Sequence, residues 1–350
     1  MVIMASLTTT AQSFKKLAPI LLFGLIIIIL IGLIAYRFTS KPDEPPQTPI
    51  APPAINQNPD QNQPRSFEFS GAQIPEFPKK LPVYTVNPYN ITEAAAGTLA
   101  SNLGFSGTPS SVKENTPDGR KFGWDQENLT LTIGQTRLEY HNNEYRSRPT
   151  LPTGGLSQDE LKNSAVTFIG KITLLGQDLA LKKTEFQVVS GNNRLPVGNF
   201  EDAQIVEFSF DKQLSNIPLV DNYPGSGFAR VRVTKDGEVT YLFSRYFDKF
   251  SESGSYNLKT TKEVQDEIAK GQGKIVQTEV LDEKGVPVNI YEHPESIDNA
   301  KIEKVSLAYF LPDDIKEAVQ PIFVFEGSFQ NAKGENGKVI IYLPAIKQSK

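Results

Sequence analysis

Five residues around one turn have the types and spacing to do chemistry: Arg230, Arg232, Tyr241, Phe243 and Arg245. Asp236-Gly237 between them reads as a hairpin turn, because both residues accept positive φ. A two-residue loop there sets Arg232 opposite Tyr241, Arg230 opposite Phe243, Val231 opposite Leu242 and Val233 opposite Thr240. The small apolar face belongs to a core. The other face gathers rings and guanidinium groups, the rings supplying contact area and the arginines supplying forked donors for a carboxylate or carbonyl. This is recognition chemistry, and it makes the five residues a candidate protein-binding surface. The ordinary counterpart is a sheet face whose arginine stems simply cover aromatic rings, since patches of this size are common without function. On a recognition surface, charge reversal at Arg230 and Arg232 weakens partner capture and leaves the melting temperature unchanged.

Patterns that would supply catalysis are weaker. Ser13-Phe14-Lys15-Lys16 has Ser-x-x-Lys spacing but precedes a long apolar run. Gly104-Phe105-Ser106-Gly107 falls short of a Gly-x-Ser-x-Gly elbow and follows an expected helix where the elbow needs a strand. Gly225-Ser226-Gly227 and Gly271-Gln272-Gly273-Lys274 lack the strand-to-helix context that places phosphate on a helix N-terminus. Asp159-Glu160 and Asp313-Asp314 lie at or near expected helix starts, where the helix dipole favours carboxylates as caps. His141 and His293 stand far apart without ligand spacing. Cys is absent, which removes thiolate ligands, thiol nucleophiles and disulfides. The expectation is a protein that is not an enzyme, with no catalytic residue, no metal and no cofactor. With 36 basic against 40 acidic residues, no basic stripe is available for phosphates, so nucleic acid is not an expected partner.

The address of the chain comes from Leu17 to Tyr36, an apolar run with no charge inside it. As a helix it spans about 30 Å, the thickness of a bilayer's hydrocarbon core. It exits through Ala35-Tyr36-Arg37-Phe38 without a small-x-small cleavage site, which favours an uncleaved anchor over a signal peptide. Gly24 and Gly32 miss the GxxxG spacing of a helix-packing face, so plain contact with lipid is expected. Lys15 and Lys16 balance Arg37 and Lys41, so orientation rests on length: residues 1–16 as a short cytoplasmic tail, 17–36 across the plasma membrane, and a large extracytoplasmic part beyond. Residues 37–66 read as a proline-rich linker, whose stretch from Lys41 to Pro64 could extend about 70 Å at about 3.1 Å per residue.

Beyond the linker three capping boxes announce helices: Asn90 with Glu93, Ser157 with Glu160, and Thr260 with Glu263. The first helix should stop at Gly104. The second carries Leu161, Ala165, Phe168, Ile169 and Ile172 on one stripe and should stop near Gly176, and the third spans Lys262 to Lys270. Strands are expected at Phe122–Asp125, Leu129–Ile133, Arg137–Tyr140, Glu185–Val189, Ala203–Phe210, Phe228–Thr234 and Glu238–Phe247. Four more follow at Ile275–Leu281, Ile302–Phe310, Pro321–Phe325 and Val339–Leu343. Short connections between successive strands argue an antiparallel α+β fold, with the helix-then-strands order resembling divergent repeats. The expected units are 67–150, 151–293 and a β-rich segment 294–350 packed with the second, with breaks near Thr150 and Pro294.

The segments Val305-Ser306-Leu307-Ala308-Tyr309-Phe310, Val319-Gln320-Pro321-Ile322-Phe323-Val324-Phe325-Glu326-Gly327 and Ile341-Tyr342-Leu343-Pro344-Ala345 form an aromatic strand, a polar-Pro-aromatic strand and a closing aromatic strand. This pattern resembles the YycH/YycI-type accessory proteins of bacterial sensor kinases, and Phe228 to Phe250 with the helix from Thr261 is similar to their PepSY-like units. The closing strand departs from the family, with Leu343-Pro344-Ala345 where members tend to carry an Asn-Ala pair. The resemblance implies one membrane helix, an exported α+β domain and regulation of a two-component sensor kinase by protein contact. A structural subunit of the cell envelope, or of a secretion or pilus assembly, is the alternative that the long linker favours.

Overall fold

A computed structural model describes residues 49–56, 66–69 and 74–348, apart from 117–118, 148–153, 173–178, 191–192, 225–226, 284, 289–296, 315 and 332. The tail 1–16, the apolar run 17–36, His293 and both expected breaks lie outside the described residues. Among the described residues no helix is long and apolar enough to cross a membrane. The chain divides into two compact units, Met1–Ile50 and Ala51–Lys350, and the architecture below is that of the second.

Three α-helices occur among the described residues: α1 (Glu93–Asn102), α2 (Gln158–Gly170) and α3 (Thr261–Ala269). Two begin with the reciprocal box that the sequence spells. Ser157 Oγ accepts from Glu160 N at 3.3 Å while Glu160 accepts from Ser157 N at 2.8 Å, and Thr260 and Glu263 repeat the pair at the same distances. The first helix departs from expectation: Thr92, and not Asn90, is its cap, accepting from Ala95 N at 3.2 Å. Ile91 decides this, because as the residue before the cap it buries itself in the same core as Ala96, four positions into the helix. At its other end Gly104 takes φ +92°, as a helix stop requires. The second helix ends at Gly170, before the expected Gly176, because Ile172 N turns back to Ile169 O at 2.8 Å and tightens the last turn.

Among the described residues fifteen strands join one sheet. Its first part runs, in spatial order, β3 (Ser111–Thr116), β4 (Gly119–Gln126), β5 (Leu129–Ile133), β6 (Arg137–Asn142), β12 (Val239–Arg245), β11 (Ala229–Thr234), β9 (Ile205–Leu214), β7 (Leu179–Ser190) and β8 (Asn193–Val197), each antiparallel to its neighbour. The C-terminal part runs β14 (Lys274–Val280), β17 (Asn336–Pro344), β16 (Gln320–Asn331) and β15 (Ile297–Phe310), also antiparallel, with β1 (Ser66–Phe69) parallel to β15. A short strand, β10 (Ile217–Val220), joins the two parts by pairing antiparallel with β9 and parallel with β15. The fold is thus mixed α+β and mostly antiparallel. A separate ribbon of β2 (Lys80–Asn87) and β13 (Lys249–Asn257) pairs chain segments far apart in sequence.

The helices α1 and α2 lie on one face of the first part, where Leu161, Ala165 and Ile169 meet the buried Val231, Val233 and Leu242. Pairing of β6 with β12 carries this core across the expected break near Thr150. On the C-terminal part α3 packs Val264 and Ile268 against Ile275, Phe323, Phe325 and Ile341. Part of the expected linker belongs to the folded unit as well: Pro53 and Ile55 are buried, and β1 begins at Ser66.

Two outcomes follow. A Cβ at Gly327 would stand 2.2 Å from Lys301 O across the β15–β16 pair, so Gly327→Ala should cost about 1–3 kcal/mol in urea unfolding. Glu263 is held at about 2, below its ordinary 4.5, chiefly by the hydrogen bond from Lys347 and then by Thr260. A depressed carboxyl stabilises the fold above its unfolded value and loses that contribution as pH falls toward its folded value. The melting difference between wild type and Glu263→Gln should therefore be full at pH 7 and shrink between about pH 5 and pH 2.

Candidate functional site

The β11–β12 hairpin places the five arginine and aromatic residues on one face, by a route that differs from expectation. Arg232 faces Tyr241, Arg230 faces Phe243 and Val231 faces Leu242, but Val233 faces Val239 and not Thr240. The loop has three residues, Lys235 to Gly237. Gly237 N donates to Thr234 O and Thr234 N to Glu238 O, both at 2.9 Å, and Gly237 takes φ +94°. The extra loop residue shifts the register by one, and a bulge at Thr240 shifts it back before Arg232.

Neighbouring strands extend this face into two rows. One reads Glu185, Glu207, Arg232, Tyr241 and His141 across β7, β9, β11, β12 and β6; the next reads Lys183, Ser209, Arg230, Phe243 and Glu139. Most of the cations on this face are committed. Arg232 Nε donates to the Glu207 carboxylate, with the two side chains 12% and 5% exposed, and its guanidinium lies 4.2 Å from the Tyr241 ring centre. Arg245 donates to Pro312 O at 3.1 Å and lies 3.5 Å from Asp221 Oδ2. Burial pushes the Asp221 carboxyl above the usual range, against the pull of Arg245. His141 Nε2 lies 3.0 Å from Glu139 Oε1 and its ring packs edgewise on Tyr241 at 5.0 Å. That hydrogen bond, with Arg137 and Arg230 adding charge, holds Glu139 below the usual carboxylate range.

Arg230 is different. Its guanidinium lies 5.5 Å from the Phe243 ring centre and 5.9 Å from that of Tyr241, and its buried Nε has no hydrogen-bond partner. Ser209, directly opposite on β9 and fully buried, leaves its Oγ unpartnered too. The expectation of five displayed residues is thereby corrected: Tyr241 and Arg245 are buried, Arg232 is locked in a desolvated pair, and Arg230 with half-buried Phe243 forms the available part. The sequence reading missed Glu207, Ser209 and Asp221, which arrive through strand pairing and loop packing; alternation of Glu207 and Ser209 with Val206, Phe208 and Phe210 was their one local signal.

The other patterns serve the fold. Glu160 closes its capping box, while Asp313 accepts from Asn222 Nδ2 at 2.9 Å and Asp314 accepts from Lys316 N at 2.9 Å in a turn, not the helix start expected there. Ser106, after the Gly104 stop, accepts from Gln126 Nε2 at 2.8 Å through its carbonyl. Among the described residues no three His, Asp or Glu side chains group to hold a metal ion. No protein-family model matches the chain, and no curated protein matches its sequence.

The geometry separates the two central arginines. Arg232→Ala strands the Glu207 carboxylate and should cost about 3–5 kcal/mol of unfolding free energy. Arg230→Ala, which breaks no salt bridge among the described residues, should change it by less than about 1 kcal/mol in the same urea titration.

Proposed function

We propose that this chain is a single-pass, membrane-anchored extracytoplasmic binding protein that regulates a membrane sensor by contact, with Arg230 receiving an acidic group of the partner. The observation that carries the reading is the half-buried Arg230 guanidinium, which forms no salt bridge among the described residues. The buried Nε is out of reach of an outside group, but Arg230 as a whole is half-buried, and a carboxylate delivered by another protein adds a charge-assisted, forked hydrogen bond to its guanidinium. Phe243 beside it offers ring area for the same contact. The uncharged run from Leu17 to Tyr36 supports the anchoring, and the resemblance of the C-terminal strands to sensor-kinase accessory proteins supports the class of partner.

Photo-crosslinking of the full-length chain in living cells tests this. The expected capture is a membrane sensor, reduced at least about tenfold by Arg230→Glu with an unchanged melting temperature, and lost when 17–36 is replaced by an unrelated membrane helix. Capture of wall or secretion components, unaffected by either change, would favour a tethered structural subunit and contradict the regulatory reading.

A further inference from the structure

His141 and Glu139 alternate on β6, so both stand on the arginine face, opposite Tyr241 and Phe243 of β12. Their side chains are 40% and 46% exposed, so the 3.0 Å contact between Nε2 and Oε1 is open to protons from solvent. An exposed pair of this kind adds little to the stability of a fold. Its position beside Arg230 gives it something else to act on. The Tyr241 ring centre lies 5.0 Å from the His141 ring, 4.2 Å from the Arg232 guanidinium and 5.9 Å from that of Arg230, so one ring carries all three groups.

The charges around His141 can be named strand by strand. Arg137 and Glu139 share its strand, Arg230 and Arg232 lie beyond β12 on β11, Glu207 follows on β9, and Asp125 stands two strands away on β4. Thr130 and Thr132, which face His141 and Glu139 from β5, carry no charge, and Arg245, opposite Arg137, lies against Asp221. Glu139 is held below the usual carboxylate range first by the hydrogen bond with His141, and the charges of His141, Arg137 and Arg230 add to it against burial. Glu139 therefore remains a carboxylate over the interval in which histidine side chains change charge, about pH 5 to 8. Beside a neutral imidazole, that carboxylate repels a second one arriving at Arg230. Beside an imidazolium it is balanced, and the face gains one positive charge.

We infer that His141 and Glu139 form a proton-operated control on this face, under which an acidic group of a partner binds Arg230 more tightly once His141 is protonated. The inference rests on the reading of Arg230 as the receptor group and adds its regulation: the contact strengthens as the surroundings turn acid. One unit of charge at this range, on a partly exposed surface, changes the affinity for a carboxylate by about threefold.

The test uses the purified full-length chain in detergent and a dye-labelled glutamate peptide, whose side chains stay ionised down to about pH 5.5. Fluorescence anisotropy should give a dissociation constant about threefold lower at about pH 5.5 than at about pH 7.5. His141→Gln, which keeps a hydrogen-bond donor but gains no proton, should show equal affinity at the two pH values. Glu139→Gln reads the same control from its other end and should bind about threefold tighter than wild type at about pH 7.5. Equal wild-type affinity at the two pH values, or a pH response that survives in His141→Gln, would overturn the control and leave Arg230 as the receptor. Binding unaffected by Arg230→Ala at either pH would overturn both.

Discussion

The desolvated pair between Arg232 and Glu207 is the constraint on which the rest of the first part of the sheet depends. A carboxylate 5% exposed is tolerable only with a guanidinium against it, so the pair fixes β11 against β9. A slip of one residue would set Val231 against Glu207 and turn Arg232 into the helix-covered core. With that register fixed, Arg230 falls opposite Ser209 and Phe243, where it feels the charges of Glu139 and Asp221 but forms no salt bridge among the described residues. The position of Arg230 is thus a by-product of a structural pair, and its Nε is left without a hydrogen-bond partner.

The second dependence is the joint between the two parts of the sheet. β10 pairs with β9 on one side and β15 on the other, and Tyr309 of β15 donates to Pro82 O of the β2–β13 ribbon at 3.0 Å while its ring meets Tyr84 edgewise at 5.3 Å. Burial raises the Tyr309 phenol well above its ordinary range, so it stays a neutral donor at physiological pH. Through this joint the Arg245–Asp221 contact and the Asn222–Asp313 bond lie on consecutive residues, one facing the arginine face and the next holding Ala51–Asn56. The arginine face and the face covered by Ala51–Asn56 share this corner.

Local chemistry was legible in the sequence where a few adjacent residues decide the structure. Ser157 with Glu160 and Thr260 with Glu263 specify their own helix starts, since the cap and its carboxylate lie within one turn. The Arg232–Tyr241 register was legible for a less secure reason: a three-residue loop and a bulge at Thr240 shift the pairing in opposite senses and cancel. β2 and β13 were not legible, because Pro82 interrupts one and Ser, Gly and Glu fill the other, and their pairing joins residues about 170 apart. Docking of Ala51–Asn56 was hidden by its composition, which reads as spacer. The signal lay elsewhere, in Ile322-Phe323-Val324-Phe325, a strand apolar on both faces and so in need of cover on both.

The claim that Arg230, and not its neighbour, is the receptor group can be tested at the atom itself. Titration of the isotope-labelled full-length chain with a short acidic peptide, followed through the arginine Nε–H resonances, reads each guanidinium separately. The account predicts a saturable downfield shift at Arg230 with Arg232 unmoved and protected from exchange. An Arg230 resonance that stays unmoved through the titration, or an equal response from every arginine, would contradict it.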